Sequence, residues 1–222
     1  LPNDSPVLTN VAGVAFQEQQ AGYLAGYAAV KDGFTKLGFS GGGGGTNPAC
    51  CRFGYGYVQG ANAAALEKGI TVDMNYSWQY GSNFSASTDL QTMINGWYVN
   101  GTEIVFACGG SMFQSIVAAA PANDGYVIGV DVGPSGESEY VVTSAMKGLA
   151  ETVKHMLGEV VAGNFANYGG QVETLGLVNG DDPTANYVQL PMETTQWGDG
   201  FTQDDYKALV KAMYDGDVTV SN

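Results

Sequence analysis

The chain has 222 residues, 45% of them hydrophobic, and it carries 8 Lys and Arg residues against 22 Asp and Glu residues, a formal net charge of −14. This length and apolar content suffice for a sizeable core in one or two domains. The acidic balance argues against nucleic acid as a partner, and no apolar run approaches the roughly 20 residues that a membrane-spanning helix needs.

The first half of the chain alternates strand-like apolar runs with small-residue segments typical of helices. Residues 1–10 lack the basic and apolar regions of a signal peptide. In chain order, the pattern predicts a strand at 8–16, a helix at 17–33, a strand at 35–42, a helix at 52–68, a strand at 71–80 and a helix at 85–100. Ser85, Ser87 and Asp89 are alternative N-caps of the third helix.

The second half continues the alternation. It predicts a strand at 102–110, a helix at 112–120 stopped by Pro121, strands at 126–131 and 140–146, a helix at 147–161, a hairpin of 172–180 with 186–191, and a helix at 202–214. Thr202 is the expected cap of the last helix. Strands that alternate with helices predict an α/β fold with a mainly parallel sheet.

Three strand ends carry unusual residues. They are the glycine run 41–45, the pair Gly109 and Gly110, and Asp131, which follows the buried strand 126–130. The carboxyl ends of parallel strands meet at one rim, where α/β folds bind ligands. Asp131 either caps a local turn or accepts hydrogen bonds from a ligand at this rim.

Two glycine-rich segments have competing interpretations. The run 41–45 either cradles an anion through backbone N–H groups or is a flexible loop, and it lacks the Gly-Lys-Ser/Thr ending of a nucleotide-binding loop. The segment GYGYVQG (54–60) faintly resembles a dinucleotide-binding motif but lies inside a predicted helix. Close packing of that helix on the sheet explains its glycines better.

Aromatic residues are dense after the third predicted strand. Tyr76, Trp78 and Tyr80 share one face by the period of two, so at least some of them are structural. Phe84 lies beyond that strand, in a loop before a helix. It is therefore the better candidate to stack on a planar ligand, with core packing as the alternative.

Residues for catalysis or metal binding are sparse. The three cysteines, at positions 50, 51 and 108, show no metal or disulfide spacing and are interpreted as small packing residues. The single histidine, His155, is expected on a solvated helix face, and no Gly-x-Ser-x-Gly elbow occurs. The sequence therefore argues against an enzyme and predicts neither a cofactor nor a metal.

Several segments together resemble a known family, the basic membrane protein family. They occur in the family's order and are FQEQQAGYLAGYAA (16–29), KLGFSGG (36–42), RFGYGYVQGA (52–61), VFACGG (105–110), YVIGVDVG (126–133), VVTSAMKGLAETV (141–153) and YDGDVTV (214–220). The family comprises substrate-binding lipoproteins of ABC transporters, including purine nucleoside receptors. The resemblance implies the type I periplasmic-binding fold, two α/β lobes that close on ligand.

The resemblance also implies an incomplete first lobe. The family pattern begins well before residue 8, and leading βα units of roughly a hundred residues, together with a lipid-anchored cysteine, are absent from this sequence. On this basis residues 1–34 and 140–165 are assigned to the remnant of the first lobe, and residues 35–139 and 166–222 to the second. The chain is either a fragment or an unusual protein.

The resemblance assigns ligand-binding roles to five positions. Phe84 corresponds to an aromatic that stacks on the base, and Gly109 and Gly110 to glycines that allow close approach of the ribose. Asp131 corresponds to the acceptor of the ribose hydroxyls, and Lys147 to a lysine that holds the sugar and the aspartate. The sequence departs from the family at GSNFSAS (81–87), which has an inserted Asn and no Asp, and at VDVGPSGES (130–138), which lacks an Asp-Gln pair.

These observations predict an extracytoplasmic solute-binding protein, lipid-anchored at full length, that delivers a purine nucleoside to an ABC permease without chemistry. Scarce Lys and Arg fit a ligand without phosphate. Three alternatives stay open: the same fold binding riboflavin or another small molecule for uptake or signalling, a nucleoside-processing enzyme, and a regulatory or adhesive module that has lost ligand binding.

Overall fold

A computed structural model describes residues 7–131, 133 and 138–222 of the chain. The strands are β1 (Gly13–Phe16), β2 (Lys36–Gly41), β3 (Asp73–Ser77), β4 (Ile104–Cys108), β5 (Tyr126–Asp131), β6 (Val141–Lys147), β7 (Val172–Leu175) and β8 (Val188–Gln189). The helices are α1 (Glu18–Lys31), α2 (Pro48–Lys68), α3 (Thr88–Val99), α4 (Phe113–Ala119), α5 (Leu149–Val161) and α6 (Gln203–Asp215). Positions 1–6, 132 and 134–137 lie outside the described residues. They include part of the segment 1–10, which lacks the features of a signal peptide, and most of the segment 130–138, where the sequence departs from the family.

The strands form two sheets. Six of them lie in the order β3-β2-β4-β5-β6-β8, and β1 pairs with β7 in a separate two-stranded sheet. All pairs are parallel except β6 with β8. Because β2, β4 and β5 are parallel neighbours, their carboxyl ends meet at one edge of the larger sheet. The predicted α/β class with mainly parallel strands is confirmed.

The predicted hairpin of 172–180 with 186–191 is wrong. β7 pairs in parallel with β1, in the register Gly13 to Val172, whereas β8 pairs antiparallel with β6. Each segment has the apolar alternation of a strand, but that pattern does not specify the partner. Residues between them form a turn in which the Asn186 side chain accepts hydrogen bonds from the Val178 and Asn179 N–H groups.

Capping residues fix the helix starts. α2 begins at Pro48, four residues earlier than predicted, because Asn47 accepts a hydrogen bond from the Cys50 N–H and proline suits the first helical position. Of the three cap candidates of α3, Ser87 is the one that bonds the Leu90 N–H. Thr202 caps α6 as predicted, in a reciprocal arrangement with Asp205.

Glycines let α1 and α2 pack in direct backbone contact. A Cβ atom at Gly56 would lie 2.0 Å from the Gln19 carbonyl oxygen, and one at Gly60 would lie 2.0 Å from that of Tyr23. The expectation that these glycines serve helix–sheet packing is therefore wrong for this pair. Only Gly54, in the same segment, faces the sheet, next to Phe39 and Tyr76. The close contact places the first turn of α1 beside the second and third turns of α2.

The lobe boundaries drawn from the sequence stay a prediction. β6 falls in the range 140–165 yet pairs with β5, and β7 falls in the range 166–222 yet pairs with β1. Those boundaries would therefore divide both sheets. Among the described residues, no helix combines the length and the hydropathy required to cross a bilayer.

Candidate functional site

A cavity opens where β4, β5 and β6 end and α2 begins. Its volume is about 280 Å³, just below the range of about 300–1,000 Å³ that is usual for small-molecule sites. All five residues that the resemblance assigns to a ligand line it: Phe84, Gly109, Gly110, Asp131 and Lys147. We call this space the rim cavity. The structure thus brings together residues that are 63 positions apart in the chain, from 84 to 147.

Asp131 enters the rim cavity from the end of β5. Its backbone has a φ of 68°, a left-handed conformation that is unfavourable for a residue other than glycine and is concentrated at functional sites. Its Oδ1 atom lies 2.9 Å from Lys147 Nζ but accepts no well-directed hydrogen bond from any described residue. The side chain as a whole is 41% exposed, so the carboxylate retains acceptor capacity toward the cavity.

Lys147 is held from several sides at the end of β6. Besides Asp131, its ammonium lies 3.7 Å from Glu18 Oε1 and 5.1 Å from the centre of the Phe53 ring. Only 15% of the side chain is exposed. Neither the composition of the sequence nor the spacing of its residues distinguishes Lys147 from any other lysine. This position was therefore identified through the family resemblance only.

Glu18 and Arg52 complete the charged cluster, and sequence reasoning missed both. Glu18 is the first residue of α1, its side chain is 3% exposed, and its Oε2 accepts a hydrogen bond from Arg52 Nε at 2.6 Å. The carboxylate thereby bridges Arg52 and Lys147. The available signal was Arg52 itself, one of only 8 basic residues in the sequence, at the predicted start of a helix rich in small residues.

Phe84 forms one wall of the rim cavity from the loop before α3. Its carbonyl accepts hydrogen bonds from the Met112 N–H at 3.1 Å and from Ser111 Oγ at 3.0 Å. The ring lies against the glycine run, where a Cβ at Gly42 would come within 2.3 Å of Phe84 Cδ1. The ring position therefore requires glycine at 42, whose close approach seats the aromatic wall.

Part of the glycine run is already hydrogen-bonded within the protein. The Gly42 N–H donates to the Cys108 carbonyl at 2.8 Å, and the Gly43 N–H donates to the Gly81 carbonyl at 2.9 Å. These two backbone donors are therefore not free for an anion, and the run links β2 to α2 and supports Phe84. Gly110, at a φ of 47°, turns the chain away from β4 and opens the cavity.

Two aromatics at the end of β3 pack against the core residue Phe39. The Tyr76 ring stacks on Phe39 with centroids 4.5 Å apart, and Trp78 meets Phe39 edge-on at 5.4 Å. Neither lines the rim cavity. Tyr76 and Trp78 therefore have a structural role, as expected for at least some aromatics of this segment.

Two thiols also line the rim cavity. Cys50 and Cys108 are buried, in agreement with their interpretation as packing residues, and each thiol influences the pKa of the other. The hydrogen bond from Cys108, assisted by the Lys147 ammonium, lowers the pKa of the Cys50 thiol below its usual range. Burial raises the pKa of the Cys108 thiol well above its usual range.

The rim cavity has the chemistry of a binding site. It combines an aromatic wall, a glycine-lined opening, and a carboxylate beside an ammonium. No group of three or more His, Cys, Asp or Glu side chains among the described residues is arranged to hold a metal ion. An arrangement of this kind suits a ligand with a flat apolar part and hydroxyl groups.

A family model and individual relatives place the chain in the same family. Residues 2–181 match the model of the Bmp family, described as ABC transporter substrate-binding protein PnrA-like. Basic membrane protein B of Borreliella burgdorferi is 32% identical over 185 residues, which cover 80% of this chain and 51% of that protein. The ABC transporter nucleoside-binding protein BmpA of Lactococcus lactis is 29% identical, with 95% of this chain and 60% of that protein covered.

A solved structure shows the same fold. The ABC transporter solute-binding protein from Aeropyrum pernix superimposes with a TM-score of 0.67 at 22% identity, covering 99% of this chain and 63% of that one. The type I periplasmic-binding fold expected from the sequence is confirmed. The chain spans between half and two thirds of the length of these relatives.

Proposed function

This chain belongs to the Bmp family of PnrA-like ABC transporter substrate-binding proteins, and from that premise we propose that it binds a purine nucleoside in the rim cavity. The observation that carries the proposal is the position of Phe84, Asp131 and Lys147 around one cavity. The relative from Lactococcus lactis is named as nucleoside-binding, which supports the same ligand class here.

The proposed roles follow from the chemistry of each group. The ring of Phe84 stacks on the purine base, which contributes about 0.5–1.5 kcal/mol beyond burial. The Asp131 carboxylate accepts hydrogen bonds from the two ribose hydroxyls, each worth about 1.5–3 kcal/mol because the acceptor is charged. Lys147 orients that carboxylate and donates to the sugar. A neutral nucleoside needs no phosphate clamp, in keeping with the low number of basic residues.

The proposed role is delivery without catalysis. In a two-lobed binding protein, ligand that contacts both lobes favours the closed form, and the closed form is what a permease recognises. We propose an ABC permease as the partner. We also propose an extracytoplasmic location, with a lipid anchor in the full-length protein.

A ligand panel tests the proposal. We expect adenosine, guanosine and inosine to raise the midpoint of thermal unfolding, and mass spectrometry of the denatured complex to recover the intact nucleoside. A shift with riboflavin alone would favour the same fold with another ligand. Release of free base would identify a nucleoside-processing enzyme, and no shift with any compound would contradict a ligand-binding role.

The apolar face of α5 suggests where the rest of a first lobe packs. Leu157 and Val161 are 59% and 88% exposed, and within the described part of the chain the sheet of β1 and β7 has no third strand. Exposed apolar stripes of this kind mark an interaction surface. Because the relatives carry substantially more chain than this sequence spans, we propose that first-lobe polypeptide covers this face.

Serine substitution of Leu157 tests that packing. In a polypeptide that includes the whole first lobe, we expect Leu157→Ser to lower the free energy of unfolding by about 2 kcal/mol, the value of burying a leucine. In the 222-residue chain it should have little effect. Leu66→Ser, at an 83% exposed site on α2, is the control and should be neutral in both. Equal effects of Leu157→Ser in the two polypeptides would contradict the proposal.

A further inference from the structure

Two cysteines, Cys50 and Cys108, line the rim cavity and have no role in the proposed binding of a ligand. Cys50 lies in the first turn of α2 and Cys108 is the last residue of β4. Both line the cavity, and both are buried, at 7% and 1% exposure. We propose that Cys50 and Cys108 are a modification site at which a small-molecule disulfide installs a reversible disulfide bond. This inference goes beyond the proposed function and does not depend on it.

The geometry selects this pair among the three cysteines. Cys50 and Cys108 both line the rim cavity, and each thiol shifts the pKa of the other, so the two side chains are neighbours. The proposal requires side-chain rotation that brings the two sulfur atoms to the S–S bond length of about 2.05 Å. Cys51 follows Cys50 in the helix, where successive side chains diverge, and its thiol instead donates to the Gly45 carbonyl at 3.3 Å.

The two thiols have different reactivities. The hydrogen bond from Cys108 and the nearby Lys147 ammonium lower the pKa of Cys50, against the opposing effects of burial and of the Asp131 carboxylate. Burial raises the pKa of Cys108. Since the thiolate is the nucleophile, Cys50 attacks first and Cys108 resolves the intermediate. The rim cavity, with a volume of about 280 Å³, gives a small reagent access to Cys50.

The exchange balances in two steps. The Cys50 thiolate attacks one sulfur of the reagent RSSR, breaks its S–S bond and releases RS⁻, which leaves a mixed disulfide on Cys50. Cys108 then loses its proton to RS⁻ and attacks the Cys50 sulfur, which releases the second RS⁻ to be protonated by solvent. The protein loses two electrons and two protons, and RSSR becomes two RSH. An oxidising compartment would maintain the disulfide, and a reducing compartment would reverse the exchange.

The new bond would tie the start of α2 to the end of β4. It closes a loop of 58 residues, which the chain-entropy account predicts to raise the midpoint of thermal unfolding by at least about 5 °C. The ends that it joins carry Asn47 and Gly109, both of which line the rim cavity. Oxidation therefore acts directly on the walls of the cavity.

Thiol mapping tests the proposal on the full chain. The reduced protein is incubated with 2-hydroxyethyl disulfide, the remaining thiols are alkylated without reduction, and peptides are identified by mass spectrometry. We expect a peptide linked through Cys50 and Cys108, an alkylated Cys51, and reversal by dithiothreitol. The Cys108→Ser variant should stop at the mixed disulfide on Cys50, and the Cys51→Ser variant should behave as the unmodified protein does.

Other outcomes overturn the inference. Alkylation of all three cysteines, a linkage that includes Cys51, or a mixed disulfide on Cys51 alone would each show that the pair does not react as proposed. Circular dichroism of each variant confirms that the fold is retained. Because the readout is covalent, it is independent of whether any nucleoside binds.

Discussion

Replacing Asp131 with alanine is expected to weaken nucleoside binding by more than about 100-fold in Kd. The substitution removes the acceptor of two hydrogen bonds of at least about 1.5 kcal/mol each, and tenfold in Kd corresponds to about 1.4 kcal/mol. The fold should persist, because Lys147 keeps Glu18 as a partner and the Asp131 side chain is 41% exposed. Isothermal titration calorimetry measures the loss.

Two variants separate charge from backbone conformation at this position. Asp131→Asn keeps the shape and tolerates a positive φ, but its neutral amide should weaken binding only by about tenfold. Asp124→Ala places alanine at a comparable φ of 51°, in the exposed turn before β5 and thus at the far end of that strand. It should leave affinity unchanged. Unaltered affinity in Asp131→Ala would refute the role of this carboxylate.

Most of the six-stranded sheet could be predicted from the sequence because its strands are short apolar runs separated by helices. Partner choice was harder, as β7 and β8 illustrate. Their alternation shows that each is a strand, but pairing with β1 and β6 depends on contacts more than 40 positions away. Local pattern carries no information about such distant register.

Some residues of the candidate site could likewise be identified from the sequence, and others could not. Asp131 could be identified by physical reasoning, since a carboxylate at the end of a buried strand requires an explanation. Phe84 could be identified in the same way, as an aromatic outside its strand. Lys147 required the family resemblance, because only the fold brings the end of β6 beside the end of β5. Glu18 could not be found, since its burial depends on the contact between α1 and α2.

The contact between Cys50 and Cys108 was hidden for a related reason. The sequence places Cys50 before the predicted start of its helix at residue 52, so its direction was undefined. The Asn47 cap extends α2 to Pro48, so Cys50 lies in the first turn of the helix, where it lines the rim cavity together with Cys108. Because the predicted start of α2 was four residues too late, the sequence could not show that the Cys50 and Cys108 thiols are neighbours.

The second large effect is expected from Glu18→Gln, which should lower the free energy of unfolding by about 3 kcal/mol. Removing one member of a buried ion pair leaves its partner charge uncompensated, and such changes are worth about 3–5 kcal/mol. Here a single carboxylate, 3% exposed, neutralises Arg52 and supports Lys147. The lower end of the range applies because Arg52 is 24% exposed. Urea unfolding followed by circular dichroism provides the measurement.

Glu151→Gln is a matched control for that change. Glu151 also lies in the first turn of its helix, α5, and pairs with Lys154 at 2.8 Å, but its side chain is 56% exposed. Both substitutions lose the same interaction with the helix dipole, so their difference isolates the buried charge. The exposed pair contributes less than about 1 kcal/mol. Equal losses in the two variants would contradict a special role for Glu18.

The origin of the loss can be tested by removing a cation as well. If the instability of Glu18→Gln comes from an unpaired Arg52, then Arg52→Met should recover part of it in the double variant, because the apolar chain needs no counter-charge. Additive losses would instead indicate that Glu18 acts through packing. Recovery of stability without recovery of nucleoside affinity is the expected result, since Lys147 would still lack the carboxylate that holds it toward Asp131. Stability and ligand binding would then depend on the same buried glutamate by separate routes.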